Sequence, residues 1–143
     1  MAYSAEERRL LAMPDEAYMD DEQRAFFRRR LFAEREIIGM RLQEVRESIA
    51  HHERGGDELD QAAGEEEMRL ALRQADRETR LLRNIDTALR RLDEGEYGYC
   101  EETGLPIGLA RLMFRPTARL CVEAKARQEQ RERHYHKARG DTR

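Results

Sequence analysis

The chain has no tryptophan, nine other aromatic residues, three prolines and two cysteines among 143 residues. No apolar run approaches the ~18–20 residues that a membrane span needs, so no membrane segment is expected. Two cysteines do not make a disulfide framework, and a reducing cytoplasm is the expected compartment. The first fifteen residues, MAYSAEERRLLAMPD, alternate charge with a few apolar side chains and show no signal-peptide core. No P-loop, nucleophile elbow or Rossmann glycine signature is present, so no enzyme class is supported. What the chain has in abundance is charge: 40% Asp, Glu, Lys and Arg, with mean hydropathy −0.95. A compact domain typically carries about 25%. Long helices tolerate more, because only a narrow stripe must be apolar.

The charge is unevenly placed. Residues 53–67 hold seven acids against Arg54, a net of −6, whereas 108–143 hold ten bases against four acids, a net of +6. One segment should repel nucleic acid and the other attract anions. A protein that coats DNA through one basic face is excluded by this asymmetry.

Leu10, Leu11 and Met13 give residues 1–19 a weak helical signal before Pro14, with Asp15 and Asp20 as candidate N-caps. From Asp21 a sustained pattern begins. Leu31, Ile38, Leu42, Val45 and Ile49 step as a/d positions of a heptad, and Phe27, Phe32 and Ile37 broaden the stripe. Gly55-Gly56 interrupts it; two glycines cost about 2 kcal/mol against alanines inside a helix, so a turn is expected. Asp57 suits an N-cap for a second helix reaching Leu92. Met68, Leu72, Ala75, Leu82 and Leu89 form one track of that helix, and Leu81, Ile85, Ala88 and Leu92 its neighbour. Two helices of ~30 residues joined by a short turn make an antiparallel hairpin of about 45–50 Å with an acidic tip. Beyond Asp93 the character changes: four of nine glycines and two of three prolines fall in residues 93–121. A loop-rich module is expected there, followed by a helix from Arg119 or Leu120 to Gly140. The expected fold is therefore mostly all-α, with an N-terminal helical segment (1–19), a coiled-coil hairpin (20–93) and a small module with a C-terminal helix (94–143).

Three features could carry chemistry. Cys100 and Cys121 stand alone, and His134 and His136, two positions apart on a helix, point about 200° from one another, so a tetrahedral zinc site is disfavoured against two buried thiols. Asp57 and Asp60, an i,i+3 acid pair at a helix start, are capping residues as a bare pattern. At the end of a long rod such carboxylates could instead meet a metal ion, Arg or Lys in a partner's cleft. Arg111, Arg115, Arg119, Lys125 and Arg127 could form an anion site only if they converge, which the sequence does not show.

Residues 97–125, YGYCEETGLPIGLARLMFRPTARLCVEAK, resemble the C-terminal module of the DksA/TraR family of bacterial transcription factors, whose pattern is YGYCxxCGxxIGxxRLxxxPxAxLCxxCK. The stretch DELDQAAGEEEMRLALRQADRE at 57–78 and the order hairpin, acidic tip, module and C-terminal helix are similar to DksA as well, over about 20–140. Two of the four family cysteines remain, Cys100 and Cys121; Thr103 and Ala124 occupy the other positions. The resemblance thus implies a Cys-poor, zinc-independent branch: a zinc-finger-like module lacking a full metal site. Packing of Ile107, Leu109, Leu112, Phe114, Leu120, Tyr97 and Tyr99 would hold it. It also implies that the two thiols lie close together, open to disulfide formation under oxidation.

The same resemblance implies a regulator of transcription initiation that binds RNA polymerase through its secondary channel, without binding DNA. With ppGpp it would destabilise promoter complexes, repressing ribosomal RNA promoters in the stringent response. Asp57 and Asp60, followed by Ala62 and Ala63, match the family's tip; Arg73 and Arg77 match positions of polymerase contact. Leu81, Asn84, Arg115 and Lys125 fall on the ppGpp positions, Asn84 in place of a lysine. No catalysis, no bound cofactor other than ppGpp as co-regulator, and a cytoplasmic monomer are expected. Alternatives are a transcript-cleavage or elongation factor acting in the same channel, a generic coiled-coil adaptor, and a zinc-binding regulator.

Overall fold

A computed structural model describes residues 2–55 and 61–140. The described residues are helical with one isolated bridge, Tyr99 to Pro106. The elements are α1 (Ala5–Leu11), a 3-10 turn (Asp15–Ala17), α2 (Asp21–Glu53), α3 (Gln61–Glu94), α4 (Leu109–Phe114) and α5 (Val122–Gly140). Two compact units result: Phe27–Arg90, and Met1–Phe26 together with Arg91–Arg143.

The first unit is a helix pair. At 1.5 Å per residue, α2 and α3 are each about 50 Å long. Arg35 meets Asp86 at 3.0 Å and His52 meets Glu67 at 3.2 Å, so the helices run antiparallel with residues whose numbers add to about 120 facing one another. Along α2, Leu31, Ile38, Leu42 and Val45 are buried and Ile49 is half-buried, as the heptad requires. Phe32 and Ile37 are exposed instead. Each is one residue, about 100° of rotation, from a seam residue and on its outer side.

Along α3 the seam runs Met68, Ala71, Ala75, Glu78, Leu82, Ile85, Leu89, in alternating steps of three and four. Leu72 and Leu81, expected on the apolar tracks, are exposed. The cause is Glu78: an acid stands at a seam position, 6% exposed, and breaks the apolar pattern that the tracks followed. By the register it stands opposite Leu42. One of its carboxylate oxygens, Oε2, is buried without a hydrogen-bond partner.

The second unit begins with α1, closed by a capping box: Ser4 Oγ accepts from the Glu7 N–H at 3.1 Å and Glu7 Oε1 accepts from the Ser4 N–H at 2.9 Å. α1 packs against α4, and Leu10 and Leu112 are fully buried. Asp20 caps α2 through the Gln23 N–H at 2.9 Å. Tyr18 joins three segments: its hydroxyl donates to the Gly98 carbonyl at 2.6 Å and accepts from the Gly108 N–H at 3.0 Å. Tyr97 donates to the Pro116 carbonyl at 2.7 Å. Ile107, Tyr97 and Met113 are buried, whereas Leu109, Leu120 and Tyr99 are half-buried. Phe114, expected in this core, is 71% exposed, because the six-residue α4 ends on it after burying Leu112 and Met113.

The seam acid yields a prediction. Replacing a carboxylate that has one buried oxygen without a partner by an apolar side chain of similar size removes a desolvation cost of about 1–3 kcal/mol. Glu78→Leu should therefore raise the denaturation midpoint in urea by a corresponding amount; an unchanged or lowered midpoint would refute this account of the seam.

Candidate functional site

Cys100 opens a tight turn, with the Gly104 N–H donating to its carbonyl at 2.8 Å and its own N–H donating to Leu105 at 2.8 Å. The Glu101 N–H reaches the Arg119 carbonyl at 2.8 Å, which brings the strand-like approach of residues 119–121 alongside the turn. Both cysteines are buried and free. Burial by itself raises the Cys100 thiol pKa. Hydrogen bonds from the Thr103 hydroxyl and from the N–H groups of Cys121, Thr103 and Glu102 outweigh it and bring the value down to about 6. Thr103 Oγ1 lies 4.0 Å from Cys121 Sγ and accepts from the Leu105 N–H at 3.2 Å. The hydroxyl thus sits between the two sulfurs. The Cys121 N–H also reaches the Cys100 sulfur, so the two residues share one corner of the module.

A structural zinc ion takes four Cys, His or carboxylate ligands. Here Thr103 is committed to hydrogen bonds with its neighbours, and Ala124, fully buried, has no donor atom. His134 and His136 are exposed on α5. Among the described residues no three His, Cys, Asp or Glu side chains cluster. The donor set does not fit tetrahedral zinc.

Arg91 is the polar anchor that the sequence did not reveal. Its guanidinium, at the end of α3, donates to Glu101 at 2.8 Å and to the carbonyls of Glu96 and Tyr99 at 3.0 and 2.9 Å. Nothing in the local pattern separates it from Arg90, which is exposed. Arg111 likewise donates to the Leu120 carbonyl at 3.0 Å, tying α4 to the segment that carries Cys121.

In the helix pair, Arg73, Arg77, Leu81 and Asn84 are all exposed and follow one another at helical steps of four, four and three, so they share one face of α3. Ala62 is exposed and Ala63 half-buried in the first turn of α3. Asp57 and Asp60 lie outside the described residues. Arg115 and Lys125 belong to the other unit. Arg115 is exposed just past α4, and Lys125 is half-buried, its Nζ donating to Gln128 at 3.1 Å.

The lowered Cys100 pKa has a sign that can be measured. A thiol near 9 in the unfolded chain and near 6 in the folded one binds fewer protons when folded between those values. Folding stability then rises with pH across that window, by up to about 1.4 kcal/mol per pH unit, and levels off above it. Urea unfolding of wild type and Cys100→Ser at pH 6, 7.5 and 9 should show the wild type gaining on the variant as pH rises. A constant difference would refute the thiolate.

Comparison with known proteins follows the same division of the chain. Residues 23–92 match the N-terminal domain of DnaK suppressor protein DksA, and residues 95–130 match the prokaryotic dksA/traR C4-type zinc finger. The RNA polymerase-binding transcription factor DksA of Caulobacter vibrioides is 49% identical over 123 residues, covering 83% of this chain and 84% of that protein. The protein of the same name from Escherichia coli K12 is 40% identical over 124 residues, 84% of this chain and 80% of its own. The solved structure of transcription factor DksA2 from Pseudomonas aeruginosa superposes with a TM-score of 0.81 at 52% identity, covering 90% of this chain and 99% of that one. With its coiled coil and zinc-finger-like module both accounted for, the chain belongs to the DksA family.

Proposed function

We propose that the protein regulates transcription initiation by binding RNA polymerase, placing the segment between α2 and α3 in the secondary channel and destabilising promoter complexes together with ppGpp. The observation that carries this reading is the antiparallel pairing of two helices of 33 and 34 residues, with the acids Asp57 and Asp60 in the segment that joins them. The relatives named as RNA polymerase-binding transcription factors support it. Carboxylates delivered by a rod of ~50 Å can meet cations that the rest of a protein cannot reach. They perturb the polymerase's own chemistry and catalyse nothing. Ala62 and Ala63, which follow the acids in the chain, add little bulk, and the α3 face of Arg73 and Arg77 meets the polymerase. The protein acts as a cytoplasmic monomer, binds no DNA and works without zinc, since its module is closed by hydrogen bonds.

Transcription from a ribosomal RNA promoter by the cognate polymerase tests this. Wild type should inhibit with and without a zinc chelator, and Asp57→Asn/Asp60→Asn should lose the inhibition. Sensitivity to the chelator would reinstate a zinc-dependent module, and absence of inhibition under all conditions would favour the adaptor reading. Release of short RNA from arrested complexes would favour the cleavage factor.

Leu81, Asn84, Arg115 and Lys125 are proposed as the chain's share of a ppGpp site at the polymerase interface. An amide in place of an ammonium keeps a hydrogen bond but gives up a charge-assisted one, worth roughly 1 kcal/mol or more against phosphate. Asn84→Lys should therefore shift the ppGpp concentration for half-maximal inhibition downward by several-fold. Identical titrations for the two proteins would remove Asn84 from the site.

A further inference from the structure

The second unit holds a cavity of about 530 Å³ that none of these roles uses. That volume falls in the range of ligand sites, about 300–1,000 Å³. Leu11, Met13 and Pro14 form one wall, and Pro106, Leu109 and Ala110 the other. Three polar side chains complete it: Tyr18, whose hydroxyl is taken up by Gly98 and Gly108, Gln23 and Asp15. Gln23, 1% exposed, borders the cavity, and its Oε1 accepts from the Met19 N–H at 2.8 Å. Its Nε2 donates only to the thioether of Met13 at 3.7 Å, a weak acceptor that a carbonyl oxygen would replace to advantage. Asp15 lines the mouth and is exposed, with Glu16 beside it in the chain. Residues 2–22 as a whole hold seven acids against two bases, a net charge of −5.

We propose that this cavity is a docking pocket for a basic peptide segment of the polymerase, one apolar side chain entering between Leu11 and Leu109 and a flanking Lys or Arg meeting Asp15. The proposal rests on the polymerase reading above. The apolar walls select the inserted side chain, the Gln23 amide supplies a donor for its peptide carbonyl, and Asp15 at the mouth attracts the cation. Asp15, the one charged side chain in the lining, favours a cation over an anion at that wall.

Binding of fluorescently labelled protein to the cognate RNA polymerase tests it. Ala110→Trp fills the cavity from an exposed position of α4, and Asp15→Lys reverses the charge at its mouth. Ala126→Trp, on the exposed surface of α5 and outside the cavity, is the control. The expected result is a loss of affinity of about tenfold or more for Ala110→Trp and a smaller loss for Asp15→Lys that shrinks with added salt. The control should match wild type, and all four proteins should show the same helical circular dichroism and melting midpoint. Equal affinity of the folded Ala110→Trp and Asp15→Lys variants and wild type overturns the pocket and leaves polymerase binding standing. Failure of wild type itself to bind overturns both. A wild-type dimer dispersed by Ala110→Trp would assign the cavity to a second copy, and a small molecule retained in native mass spectrometry by wild type and lost from Ala110→Trp would assign it to a metabolite. Either also overturns the proposal.

Discussion

Side chains that reach across the chain to backbone polar groups hold the segment 95–121, and the rest of its unit depends on them. Tyr18 joins Gly98 to Gly108, Tyr97 holds Pro116, Arg91 holds Glu96 and Tyr99, and Arg111 holds Leu120. Each bond is worth about 1 kcal/mol net, but leaving such a buried group unpaired costs more. The arrangement is tight enough to dictate residue type at Gly98. Its φ is +91°, and a Cβ there would stand 2.8 Å from Met19 Cγ and 3.2 Å from the Tyr18 hydroxyl. Movement of the Tyr18 hydroxyl would release both walls that it joins, the Cys100 turn on one side and the start of α4 on the other.

Within that frame the Cys100 turn is organised around a sulfur and its hydrogen-bond donors. Three N–H groups and a hydroxyl converge on one sulfur, the pattern of donors that stabilises a thiolate. Where a family member with four cysteines would gather its thiolates on an ion, Thr103 bridges the two that remain, and the Ala124 methyl fills the last corner with packing. Hydrogen bonds of this kind carry direction but far less energy than a structural metal ion supplies. Arg91, half-buried, and its exposed partner Glu101 add an ion pair beside the same turn, at 2.8 Å.

The two long helices were legible because heptads in a highly charged chain permit little else, and α2 keeps the stripe that its spacing predicts. α3 was legible in extent but not in facing. Glu78 occupies a seam position that no apolar pattern would grant it, so the tracks slid onto Leu72 and Leu81 and missed Ala71. The capping box at Ser4 and Glu7 was present as S-x-x-E and defines α1 more sharply than the scattered leucines do. Phe114 shows the opposite failure: a large aromatic side chain invites burial, yet a helix of six residues has room to bury only part of its surface. Arg91 and the cavity around Gln23 depend on contacts between distant parts of the chain, which no local pattern encodes. The tip acids and the ppGpp positions came from family resemblance, not from any spacing rule.

Packing along the α3 seam is graded, and the grading bears on where the helix pair opens first. Ile85 and Ala88 are almost fully buried, and Leu82 and Leu89 beside them are large. Toward the segment that joins the helices the α3 seam turns to Glu78, Ala75, Ala71 and Met68, of which the last three are only half-buried. Apolar area lost from water sets local stability at about 25 cal/mol per Å², so small residues and an acid give the joined end less to hold it. The His52–Glu67 pair adds a polar contact there, and half-exposed pairs contribute little. Among the described residues, local opening of the pair is therefore cheapest at the start of α3. A seam optimised for stability would have placed leucine at 78; glutamate there keeps the α3 seam from being uniformly apolar.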